Sequence, residues 1–157
     1  MRYKLNGYTI GLDTFKTARE QDLTNVIVLD GIIHRFEYQF ERSIKLIKTM
    51  LKYDGIVSFD SPRDVLKEAY GAYDFIDEDV WLDMLIDYTG TRNLPDYSAG
   101  QTKLVQNILD RYLPAFETLY EVTVKKFPEE AKLVEAEQAE RRTKRAEWQP
   151  PMAAAAK

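Results

Sequence analysis

The sequence contains no cysteine and a single histidine, His34. The first absence excludes disulfides, thiolate metal ligands and a cysteine nucleophile. The second excludes a di-iron bundle site, which needs two Glu-x-x-His pairs, whereas here His34 stands before Glu37 in reverse order. A Ser-His-Asp arrangement would require His34 as its base, yet it lies beside Arg35 with no nucleophile spaced to meet it. No apolar run approaches the roughly 20 residues that span a bilayer. The start "MRYKLNGYTIG" lacks the apolar centre of a signal peptide, so the expectation is a soluble cytoplasmic protein without membrane contact. Positive charge is also short: 22 basic against 26 acidic residues give a net charge of -4, and no global positive field draws in a phosphate backbone. Finally, no stretch alternates apolar and polar residues for long enough to require a sheet.

What is there is helical periodicity. The 157 residues, 45% hydrophobic, suffice for one domain with one core. Asn6-Gly7 reads as a turn, after which Ile10, Leu12, Phe15 and Ala18 outline a short helix. From Val26 to Tyr53, the apolar residues Leu29, Ile33, Phe36, Phe40, Ile44, Ile47 and Leu51 recur at three- and four-residue steps, one face of a helix about 40 Å long. Ser61-Pro62-Arg63-Asp64 supplies a hydroxyl cap, a first-turn proline and an acid, the pattern of a helix start. Asp77-Glu78-Asp79 opens another helix, with Val80, Trp81, Met84, Leu85 and Tyr88 on its apolar side. A long helix after residue 100 is interrupted by Pro114, which cannot donate to the carbonyl of Asp110; a kink or break is expected near residues 111–113. The pattern predicts an all-α, antiparallel up-and-down bundle of four or five helices over 1–127. Residues 128–157 then form a charged C-terminal helix and a disordered tail.

Two acidic patterns and one loop carry possible chemistry. Glu37 and Glu41 are four apart on the long helix and share a face; they serve either to pair with cations of a neighbouring helix or to form a polar site at a helix interface. Asp79, Asp83 and Asp87 form a second stripe, but no ligands converge on it from elsewhere in the sequence, and no metal or other cofactor is expected. In "IDYTGTRNLPDY", residues 86–97, the apolar pattern gives way to Tyr88, Arg92, Asn93, Asp96 and Tyr97. This concentration of donors, a carboxylate and phenols is either a binding loop or a helix end with a glycine stop and a polar turn.

The run "GIIHRFEYQFERSIKLIKTML", followed by "SPRDVLKEAY" and "VWLDML", resembles the nucleotidyltransferase substrate-binding protein family, a branch of the HEPN helical domains. The distinctive parts are Arg-Phe-Glu-aromatic-x-Phe-Glu at 35–41 and the Ser-Pro-Arg-Asp start at 61–64, and the likeness covers roughly residues 10–127. It implies a helical bundle that forms a homodimer and works beside a minimal nucleotidyltransferase encoded nearby. Some relatives form toxin-antitoxin pairs in which the bundle is a metal-independent ribonuclease. Their motif is Arg and Asn, three further residues, His, and Tyr two positions later. There the histidine moves a proton and the arginine steadies phosphate charge.

This chain departs from that motif. Counted from Arg92-Asn93, the histidine position holds Tyr97 and the tyrosine position Ala99; counted without a gap from Asp87, Tyr88 and Asn93 take the arginine and histidine positions. A tyrosine, with a reference pKa near 10, is a poor base at neutral pH. The expectation is therefore a non-catalytic accessory subunit that binds a nucleotide or RNA through Arg35, Glu37, Glu41, Tyr88, Arg92, Asn93, Asp96 and Tyr97. In it Arg92 meets phosphate, Asn93 and Tyr97 position base or ribose, and Arg35 and the two glutamates shape the wall. The alternatives are a ribonuclease toxin using Arg92 and Tyr97, and a structural bundle whose C-terminal helix docks a partner.

Overall fold

The computed structural model describes residues 1–94 and 98–150, and among them it contains helices and no strand. The chain is an all-α bundle. Helix α1 spans Arg2–Lys16 and continues as a 3-10 turn, Thr17–Glu20. Helix α2, Val26–Tyr53, begins on Asn25, whose side chain accepts from the Ile27 N–H, and ends before Gly55, which adopts φ +84. That left-handed geometry is open to glycine at no steric cost. All seven apolar residues read as the α2 core face are buried.

Helix α3, Pro62–Ala72, starts with the expected reciprocal cap: Ser61 Oγ accepts from the Asp64 N–H, and the Asp64 carboxylate accepts from the Ser61 N–H. Helix α4, Glu78–Gly90, is capped by Asp77, which accepts from the Val80 N–H at 3.1 Å. Helix α5, Ala99–Asn107, passes through a π-helical turn, Ile108–Tyr112, into α6, Leu113–Lys126. Helix α7, Pro128–Glu147, closes the described chain. The end of the sequence falls largely outside the described residues, including the expected disorder of 151–157.

One expectation is corrected at the N-terminus. Asn6-Gly7 is not a turn but lies inside α1. The reason is tertiary: Asn6 is buried, its Nδ2 donating to Glu137 and its Oδ1 accepting from Gln138 of α7, so the residue is used in packing rather than to bend the chain. Helix α7 is likewise tied to α1, through Ala131 and Val134 in the core and the Arg2 to Glu137 ion pair at 3.2 Å.

The disturbance expected before Pro114 takes a definite form. Proline has no N–H to give, and the Leu113 N–H donates to the Ile108 carbonyl five residues back, widening the helix by a π turn rather than breaking it. The wider turn presents Tyr112 to the core, where its ring stacks on Phe36 with centroids 5.4 Å apart. Phe116, one turn on, meets Phe15, Phe36 and Trp81, and its carbonyl accepts from the buried Tyr8 hydroxyl at 2.6 Å. Aromatic packing of α1, α2, α4 and α6 thus converges on one centre. No helix among the described residues is long and apolar enough to cross a membrane.

Candidate functional site

The C-terminal end of α4 leans on the middle of α2. Tyr88 lies against Phe40, with ring centroids 4.7 Å apart, and its hydroxyl donates to Glu41 Oε1 at 2.8 Å. Around this contact Glu37, Glu41, Tyr88, Thr89, Thr91 and Arg92 line a cleft of about 220 Å³. Four residues singled out from the sequence, Glu37, Glu41, Tyr88 and Arg92, therefore share one hollow, although they are separated by some fifty positions along the chain. Glu37 and Glu41 face it because residues four apart lie on one helix face.

Helix α4 is held in this place by its acidic stripe. Asp83 pairs with Arg111 at 2.8 Å, and Asp87 accepts from the Tyr112 hydroxyl. Both partners belong to the π turn, so the irregularity before Pro114 supplies the two groups that fix α4 one helical turn apart. Two of its three acids, Asp83 and Asp87, are thus engaged in helix pairing, and among the described residues no three His, Asp or Glu side chains gather for a metal ion.

The loop after α4 does not begin with a glycine stop. Gly90 keeps right-handed backbone angles, and the chain tightens into a 3-10 turn, Thr91–Asn93. The Thr89 and Thr91 hydroxyls bond back to the carbonyls of Leu85 and Tyr88, holding both side chains against the last turn of α4. These two threonines are cleft residues that the sequence reading passed over; the signal was their position at a helix end, where hydroxyls bond back to the backbone. Asn93 is exposed on the 3-10 turn and does not line the cleft, while Asp96 and Tyr97 lie outside the described residues.

Arg35 goes elsewhere. Two positions before Glu37 on a helix is the opposite side, and Arg35 lines a separate hollow of about 290 Å³ between α1 and α2, with Thr14, Phe15 and Gln21. It forms no wall of the α4 cleft. His34 is exposed, with its ring edge-on to Tyr38 at 4.7 Å, and is also outside the cleft. On the far side of Thr91, a second hollow of about 340 Å³ is lined by Ile86, Asp87, Leu94, Lys103, Leu104 and Asn107 among others. The loop therefore separates a polar cleft from a more apolar one.

Electrostatics set what the polar cleft can do. Burial first, and then the neighbouring Glu41 carboxylate, push the Tyr88 phenol above its ordinary range, with Arg92 opposing. The phenol is therefore protonated at neutral pH and acts as a donor. Two carboxylates accept, and the Arg92 guanidinium, free of any ion pair among the described residues, offers a fork of donors to an anion. The cleft holds and orients polar groups, and its described lining includes no histidine. Its volume is below the roughly 300–1,000 Å³ of pockets that engulf a whole small molecule, which suits part of a ligand such as a phosphate and its sugar.

No curated protein matches the chain. A family model does match, over residues 3–125, which takes in α1 to α6 almost completely and stops before α7. The chain belongs to the family described as nucleotidyltransferase substrate binding protein like.

Proposed function

We propose that this protein is the substrate-holding partner of a nucleotidyltransferase, a cytoplasmic homodimeric accessory subunit without ribonuclease activity of its own. Residues 1–127 form the holding bundle, and the charged helix α7 that follows packs against it. The observation that carries this reading is the α4 cleft, which joins two carboxylates, a protonated phenol and the Arg92 guanidinium, unpaired among the described residues, and whose described lining holds no histidine. Arg92 takes a phosphate of a nucleotide or an RNA end, and Glu37 and Glu41 accept from sugar hydroxyls or base amino groups. Tyr88 holds Glu41 in place. Chemistry is left to the transferase, whose active site closes over the presented group.

The alternative is a HEPN-type ribonuclease, which would have to draw its base from Tyr97 or an unorthodox group. Both readings are tested by one set of measurements. Wild-type protein and Arg92→Ala are incubated with RNA in EDTA, and their melting temperatures are recorded with and without nucleoside triphosphates. The expected result is intact RNA and a nucleotide-dependent rise in melting temperature that Arg92→Ala abolishes. Metal-free cleavage that disappears in Arg92→Ala would establish the nuclease instead. Intact RNA with no nucleotide effect would leave a structural bundle that docks its partner through α7.

A further inference from the structure

Six of the 22 basic residues of the chain line one stretch of its surface. On α2, His34, Tyr38, Arg42 and Lys45 follow one another at steps of four, four and three, and so share a face. The Arg42 guanidinium carbon stands 5.6 Å from the Tyr38 ring centroid, and its tip then lies across α1 over Gly11, where a Cβ would come under 3.0 Å from Arg42 Nη1. Facing this stripe, α1 contributes Tyr3, Lys4 and Ile10, and α7 contributes Arg141, Arg142 and Arg145. Two hollows, about 410 Å³ and about 370 Å³, adjoin along this groove and share Ile10 and Arg141 in their walls.

Six cations, Lys4, Arg42, Lys45, Arg141, Arg142 and Arg145, line this groove against one carboxylate, Asp13. Only Arg142 reaches Asp13, at 3.7 Å; the other five have no ion pair among the described residues. In a chain of net charge -4 such a concentration is not average composition. Tyr3, 83% exposed, stands at the lip, and Tyr38 is nearly half exposed beside Arg42. The α7 cations lie beyond residue 125, outside the part of the chain that matches the family, and the groove shares no lining residue with the α4 cleft.

We propose that the groove between α1, α2 and α7 binds a single-stranded nucleic acid, with the cations on its phosphates and Tyr3 and Tyr38 as stacking surfaces for its bases. A groove that follows a backbone with positive charge and offers aromatic faces is the general form of single-strand binding. Guanidinium forks match phosphate oxygens in pairs. From Tyr3 to Thr14 the α1 wall runs about 16 Å at about 1.5 Å per residue, and each hollow has the size of a small-molecule pocket, room for a base and its phosphate but not for a duplex. An acidic protein would also be met by the cations, and poly-glutamate in the test below stands for that outcome.

The test is fluorescence anisotropy of a short labelled oligo(dT) strand over a salt series with the full chain. Wild type should bind at low salt, with log affinity falling by about 0.7 per phosphate neutralised for each unit of log salt. Arg141→Glu with Arg145→Glu, both exposed and without an ion pair among the described residues, should weaken binding about tenfold or more and flatten that slope. Lys45→Glu on α2 should act in the same direction, which guards against an effect confined to α7. Tyr3→Ala should weaken binding several-fold with the slope unchanged. The matched reversal Arg63→Glu with Lys67→Glu on α3, of equal net charge, should leave binding close to wild type. The proposal fails if wild type does not bind at low salt, if the two reversals act equally, or if poly-glutamate binds as tightly as oligo(dT).

Discussion

The Tyr88 hydroxyl donates to Glu41 Oε1 at 2.8 Å, joining the end of α4 to the middle of α2 across the mouth of the candidate cleft. If this bond positions Glu41, the two side chains should be coupled energetically. In a double-mutant cycle of Tyr88→Phe and Glu41→Ala, urea denaturation should give a coupling of about 0.5–1.5 kcal/mol, the value of a typical intramolecular hydrogen bond. Tyr88→Phe keeps the ring on Phe40, so the loss belongs to the hydroxyl alone. A coupling indistinguishable from zero would mean that Glu41 is held by solvent and not by Tyr88.

Tyr112 is the pivot that brings α4 to that position. Its hydroxyl donates to Asp87 while its ring is fully buried against Phe36, and it sits on the π turn before Pro114. Tyr112→Phe should preserve the stacking and remove the donor, costing about 1–3 kcal/mol because the bond is to a charged acceptor. Amide hydrogen exchange should quicken in the last turns of α4 and in the Thr91–Asn93 turn, while α1 and α7 stay unchanged. Uniform acceleration across the chain would show a global effect and reject this role.

Two glycines in the same helix should respond with opposite sign. At Gly7 an added Cβ meets nothing within 4 Å, so Gly7→Ala should stabilise α1 by about 0.5–1 kcal/mol through its better helix propensity. At Gly11 the Cβ would press on Gln39 Oε1 and Arg42 Nη1, both under 3.0 Å away. The Arg42 tip can swing out, but Gln39 is buried and its Nε2 donates to the Tyr8 carbonyl at 3.3 Å, so it has little room to yield. Gly11→Ala should therefore destabilise by about 1–3 kcal/mol despite the propensity gain. Thermal melts of the two variants that moved in the same direction would contradict the close packing of α1 on α2.

Much of this was legible in the sequence because the signals were local and periodic. The α2 face from Leu29 to Leu51 repeats every three or four residues, and the start of α3 is written in four consecutive letters, so both were found in place. The effect of Pro114 was also foreseeable, since a missing N–H has one consequence, though its resolution as a π turn depends on how Tyr112 packs. Asn6-Gly7 misled because its use is tertiary: nothing near it in sequence announces Glu137 and Gln138 on α7. The cleft shows the same division. That Glu37 and Glu41 share a face follows from spacing, and that Arg35 turns away from them follows from it as well. Their meeting with Tyr88 and Arg92 is set by the π turn holding Asp83 and Asp87, which no short-range pattern encodes.

Stability should form a plateau around neutral pH, with separate causes at its two ends. Burial raises the phenols of Tyr8, Tyr73 and Tyr112 well above their ordinary range and that of Tyr70 to about 12, with Glu78 and Asp77 adding to the effect at Tyr70. The folded state holds these protons more tightly than the unfolded chain. Their stabilising contribution is then complete below the unfolded value of about 10 and is lost as pH rises through the folded values. At the acid end, the hydrogen bond from Lys126, followed by that from Tyr73, lowers Asp54, and the Ser61 hydroxyl lowers Asp64. Those contributions are present above the unfolded value of about 3.9 and disappear as pH falls through the folded ones. Urea midpoints measured across the range should be flat from about pH 5 to 9 and decline on both sides. Tyr70 allows the alkaline cause to be isolated, because its hydroxyl is buried without a hydrogen-bond partner among the described residues. Tyr70→Phe should be neutral or stabilising at pH 7 and should retain a larger share of its stability at pH 11 than wild type does. An alkaline decline equally steep in the variant would assign the whole of it to the other tyrosines.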